Sequence, residues 1–103
     1  MKKANVFVNK VLAGYLIEME KRTQYEFHYL MDYIGPSISL TMPTTQKIYY
    51  FDRFPVFFEG FLPEGMMLEA FLKKTKIDSD DLFEQLMRLG KELVGDVTVE
   101  RSL

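Results

Sequence analysis

Few residues in this chain are equipped to do chemistry. There is a single histidine, His28, and no cysteine. Thiol catalysis, disulfides and thiolate metal sites are therefore excluded. His28 falls in QYEFHY, on the polar side of an alternation with Tyr25, Phe27 and Tyr29. No nucleophile and no orienting group accompany it at a recognisable spacing, so a solvated histidine is expected rather than a general base. A zinc site would need several His or Cys ligands. Asp78, Asp80 and Asp81 resemble the start of a calcium loop but lack its glycine and its closing glutamate. Helix capping and first-turn charge explain them more simply. Glu59 or Glu64 would need a second acid across a cleft to form a hydrolytic pair, and nothing in the sequence selects one. No glycine-rich phosphate loop occurs. The expectation is a protein without metal or cofactor that is not an enzyme; a small carboxylate-dependent hydrolase is the enzymatic alternative.

What the residues do offer is contact chemistry. Nine Phe, six Tyr and seven Met, with no Trp, give a chain rich in aromatic and adaptable apolar surface. The stretch FFEGFLPEGMM, from Phe57 to Met67, sets this surface beside helix breakers. Val56, Phe57, Phe58, Phe61 and Leu62 recur densely enough to read as core. Pro63-Glu64-Gly65 then changes the chain direction. Met66 and Met67 are adjacent, so helical geometry does not let both share a face with Leu68, Phe71 and Leu72. At least one is expected to point outward, either as a partner contact or as satellite packing. Pro63, Glu64, Gly65, Met66 and Met67 are thus the candidate partner-binding residues.

The elements that would position this turn can be read from periodicity. Asn5–Val8, Val11–Ile17 and Gln24–Tyr29 read as strands, with Asn9-Lys10 as a turn lacking the favoured glycine. Gly14 signals a bulge or a close backbone approach. Ser37–Met42 reads as a further strand with Ile38, Leu40 and Met42 on one side, ended by Pro43. Lys47–Tyr50 reads as a short strand or an extended crossing. A short helix follows Pro55, and a second runs from about Glu64 to Thr75. The charge trio Lys73, Lys74 and Lys76 complements its negative end. A third helix begins near Asp78, capped by that carboxylate, and Gly90 ends it. Its apolar stripe is Leu82, Phe83, Leu86, Met87 and Leu89. Gly95–Val99 reads as a last strand that returns to the sheet. The order predicts an α+β fold over residues 1–103 as a single domain: a small, mostly antiparallel sheet or partial barrel with about three helices packed on it.

Composition narrows the function further. The chain has 103 residues, 48% apolar and 27% charged, enough for one self-sufficient core. A net charge of −2 supplies no basic field, so direct nucleic acid binding is disfavoured. No window approaches the roughly twenty apolar residues of a membrane helix. MKKANVFVNK breaks too early for a signal peptide, and a cytoplasmic location is expected.

Four pieces together resemble the small N-terminal subdomain of HipA-type serine/threonine toxin kinases. They are VFVNKVLAGYL, SISLTMP, FFEGFLPEG and DLFEQLMRLGKELVGDVTV. Gly14, Leu40, Pro43, Phe57, Phe58, Leu62, Pro63, Glu64, Leu89, Gly90, Gly95 and Val97 fit the family pattern. Each motif alone is weak; their order and spacing over about ninety residues carry the match. In the fused kinases this subdomain precedes a much larger kinase body, whose catalytic residues have no counterpart here. The resemblance implies a HipS-like stand-alone component of a tripartite HipB–HipS–HipT toxin–antitoxin system. Such a component would bind and inhibit a separate HipT-like serine/threonine kinase, in one complex with a HipB-like DNA-binding protein. A non-inhibitory scaffold of the same complex is the alternative.

Overall fold

A computed structural model describes residues 1–93 and 95–102. Three strands come first: β1 (Lys2–Val8), β2 (Val11–Glu20) and β3 (Gln24–Tyr29). After a long connection come β4 (Ile48–Phe51), α1 (Val56–Glu59), α2 (Gly65–Thr75) and α3 (Leu82–Leu89). A 3-10 turn over Gly90–Glu92 leads to β5 (Val97–Arg101). The five strands form one open sheet in the order β4-β3-β2-β1-β5, with every neighbouring pair antiparallel. This is the expected α+β fold, as an open sheet and not a barrel. The last strand does return, pairing with β1.

Local chemistry explains the joints. Asn9 and Lys10 have φ of 50° and 70°, the paired left-handed conformation of a tight two-residue hairpin, reached here without glycine. Gly14 pairs with Val6 where the β1 register shifts before Phe7. A Cβ at Gly14 would lie 2.1 Å from the His28 carbonyl oxygen, so bulge and close approach occur together.

Alternation selects the core face. Ala4, Val6 and Val8 of β1 and Tyr25, Phe27 and Tyr29 of β3 turn inward, and residues between them are partly exposed. Phe58 of α1 and Phe83 and Leu86 of α3 are fully buried in the same core. The Phe27 and Phe58 rings lie 6.1 Å apart, and Phe54 meets Tyr25 edge-on at 5.4 Å. Each buried Phe contributes roughly 1.5–3 kcal/mol. Gln85 is buried beside them because its amide donates to the Asp78 and Ser79 carbonyls at 3.0 and 3.1 Å.

Three local expectations need correction. Ser37–Met42 is not a ladder strand: its Ser39 and Met42 form only an isolated bridge. The Tyr29 hydroxyl takes over the role of a neighbouring strand, accepting from Ile38 N–H at 2.9 Å and donating to Met42 O at 2.5 Å. Ile38 and Met42 are buried by this arrangement, whereas Leu40, expected on the same side, stands in solvent. The third helix starts at Leu82, not near Asp78. Its cap is Asp81, whose carboxylate accepts from Glu84 N–H at 3.2 Å, while Asp78 and Asp80 pair with Arg22. Gly90 does cap the end of α3, as expected, but with helical angles, and the chain continues into the 3-10 turn. Val56, expected in the core, is exposed, because the single turn of α1 buries only Phe58.

Candidate functional site

The turn between α1 and α2 grows out of an aromatic knot. Phe57 meets Phe58 and Phe61 edge-on, both at 5.1 Å, and Phe58 meets Phe61 at 6.3 Å. Phe61 and Leu62 are partly buried against the core, so the chain entering the turn is held fast. Pro63 is half-buried, and Glu64 and Gly65 are exposed. Glu64 occupies the cap position of α2 in an extended conformation, and its carbonyl accepts from Leu68 N–H at 3.3 Å. Its carboxylate makes no cap bond and is left for other contacts. Gly65 has φ of +59° with open space around a would-be Cβ, so the backbone angle alone favours glycine here. Met66 and Met67 follow at 84% and 74% exposure. Sequence spacing required one of them to face outward; both do.

The helix carrying the methionines is loosely held. α2 has no fully buried residue, and Leu68, Phe71 and Leu72 are only half-covered. Among the described residues, no ion pair or side-chain hydrogen bond ties α2 to the sheet; Thr75 bonds back to Phe71 O at 2.9 Å within the helix. α3 differs. Glu84 accepts from Lys2 of β1 at 2.8 Å and from Arg101 of β5. Burial pushes the Glu84 carboxyl up, but the bonds from Arg101 and Lys2 outweigh it and hold the group below the usual carboxylate range. Arg22, in the β2–β3 turn, reaches Asp80 at 2.9 Å, Asp78 at 3.1 Å and Asp81 at 3.8 Å. The acidic run that resembled a metal loop is thus engaged by one arginine, which offsets part of its charge. No group of three potential metal ligands is found among the described residues. Tyr25 donates to the buried Glu18 carboxylate at 3.1 Å, and burial, with the Glu18 charge next, raises the phenol well above its ordinary value. His28 bonds Glu26 at 2.7 Å on the half-exposed sheet face, with no nucleophile beside it.

Other apolar surface was not selected by sequence reasoning. Met31, Ile34 and Leu40 stand exposed on the β3–β4 connection, and Tyr50 and Val56 near α1. An open groove of about 790 Å³ runs beside β4, lined by Tyr25, Met42, Tyr49, Phe51, Phe54 and Phe57 among others. The only hint in the sequence was the density of tyrosine and phenylalanine, which does not say which rings line a cleft.

The arrangement offers apolar contact, and proteins of the same shape are known. The family described as "HipA N-terminal domain" matches residues 4–100. The chain belongs to the HipA N-terminal domain family. Its fold agrees: a solved N-terminal domain of HipA toxin superposes with a TM-score of 0.80 at 26% identity, over 100% of this chain and 94% of that one. An uncharacterised protein of Haemophilus influenzae is 28% identical over 83 residues, covering 81% of this chain and 78% of its own. The relation connects this HipA N-terminal domain to toxin–antitoxin biology. No helix among the described residues is long and apolar enough to cross a membrane.

Proposed function

We propose that this HipA N-terminal domain acts as an antitoxin: it binds a separate HipT-like serine/threonine kinase in the cytoplasm and silences it by contact, without catalysis of its own. The observation that carries the reading is the exposure of both Met66 and Met67 in the first turn of α2, just after Phe61 and Leu62 leave the core. Methionine adapts to irregular pockets, and a loosely held helix can adjust as it docks. Glu64 and Pro63 flank the pair and set its register. A HipB-like protein supplies DNA recognition in the same complex, which accords with the net charge of −2 here.

The test is a kinase autophosphorylation assay with increasing amounts of the purified chain. Wild-type protein is expected to abolish activity. Replacing Glu64, Met66 and Met67 together by alanine is expected to weaken inhibition about ten- to a hundredfold. Unchanged inhibition by a folded triple variant removes the site. Stable assembly with undiminished autophosphorylation makes the chain a scaffold instead.

A further inference from the structure

The sheet has two edges, and only one is covered. Asn9 N–H donates to Asp96 O at 2.8 Å, and Ser102 N–H to Lys3 O at 3.0 Å. These bonds set the phase of the β1–β5 ladder, so the backbone of Val99, paired with Val6, faces away from β1. Gly90 lies against that outward group: a Cβ there would sit 1.9 Å from Val99 O. The turn after α3 therefore shields this edge.

β4 forms the other edge. Tyr29 N–H donates to Lys47 O at 2.9 Å, and the pairing continues through Phe27–Tyr49 and Tyr25–Phe51. In an antiparallel ladder only alternate residues bond inward, so Ile48 and Tyr50 turn their N–H and C=O groups away from β3. Ile48 O is met by the Gln46 side-chain amide at 2.7 Å. Among the described residues, no hydrogen bond occupies the Ile48 amide or either backbone group of Tyr50. The aromatic groove lies beside this edge, with Tyr49 and Phe51 of β4 in its lining. Its volume of about 790 Å³ is within the range of roughly 300–1,000 Å³ found for ligand-holding clefts. Glu26, Asp52 and Arg53 in the lining carry two negative charges against one positive, so the groove is weakly acidic.

We propose that β4 is a docking edge for an extended segment of a partner protein that lacks acidic side chains, which adds as a sixth strand and places apolar side chains at alternate positions. The outward groups of Ile48 and Tyr50 supply the main-chain bonds, and the groove takes the side chains that project to its face. A helix could not use those backbone groups. Gln46 serves as a displaceable cap that guards the edge when it is empty. The inference is independent of the kinase reading, since it uses no residue of the Pro63–Met67 turn.

The test is to pan a random-peptide display library against the immobilised intact chain. Proline-free peptides with apolar residues at alternate positions are expected to enrich. Methylating alternate backbone amides of an enriched peptide is expected to weaken binding about tenfold or more. Tyr50→Pro removes an outward N–H that Tyr50→Ala keeps, so binding should fall well below that of the alanine variant, while Gln46→Ala should tighten binding. If Tyr50→Pro does not fold, the methylated peptides against wild-type protein still decide. Absence of enrichment, enriched peptides without alternation, or indifference to methylation overturns the proposal. So does a wild-type dimer in sedimentation that Tyr50→Pro dissociates, which would assign the edge to a second copy.

Discussion

Met66 and Phe58 lie eight positions apart and are put to opposite uses. Phe58 is fully enclosed against Phe27, Phe57 and Phe61. Phe58→Ala is expected to cost about 3–5 kcal/mol in urea unfolding, because the surrounding rings cannot close the cavity. Met66 and Met67 contact solvent, so replacing both by alanine should change stability by less than about 0.5 kcal/mol each. That contrast separates a binding residue from a folding residue in one denaturation series. Gly65 is a third kind of position. Gly65→Ala meets no atom yet forces a left-handed angle of +59° on a residue with a Cβ, with an expected cost of about 1–2 kcal/mol. A loss below a few tenths would show that α2 starts elsewhere in solution.

Elements differ in how firmly they are tied to the sheet. α3 is capped by Asp81, buries Phe83 and Leu86, and is clasped to β1 and β5 through Glu84. α2 has none of these ties. Amide hydrogen exchange is therefore expected to be faster across α2 than across α3, and equal protection would contradict this ranking. Asp81→Ala should cost about 0.5–2 kcal/mol through the lost cap. The Glu84 clasp also predicts a pH dependence. Its carboxyl titrates lower in the folded than in the unfolded chain. Its stabilisation is complete above the ordinary glutamate value of 4.5 and is lost as pH falls through the depressed folded value. Unfolding followed against pH should show a shallower acid limb for Glu84→Gln than for wild type; superimposable limbs would remove the clasp.

At the scale of the whole molecule, the exposed methionine turn and the open β4 edge use different chemistry. The first presents side chains at the start of a loosely held helix; the second presents backbone groups beside a groove. The two can be disabled separately, by alanines at Glu64, Met66 and Met67 or by Tyr50→Pro. If the turn carries kinase binding through apolar anchors, affinity should fall only weakly as salt rises. A steep decline in a titration series would point to a charged interface and shift attention to the α2 lysines.

The sequence by itself determined the fold class, the boundaries of β3 and the approximate reach of α2. Period-two alternation in QYEFHY and the break at Pro63 are local properties of the chain, and local geometry obeys them. It also determined the poverty in catalytic groups, which follows from residue types alone. Tertiary structure decided whatever depended on a distant partner. Ser37–Met42 alternates like a strand, yet the Tyr29 hydroxyl satisfies its backbone and leaves Leu40 outside. Asp78 looked like a cap until Arg22, more than fifty positions away, claimed its carboxylate. Which sheet edge stays open was likewise invisible in the sequence, because it turns on Gly90 lying against Val99 while nothing comparable covers Tyr50. Spacing along a chain fixes which side chains share a face; only the closed fold fixes what that face meets.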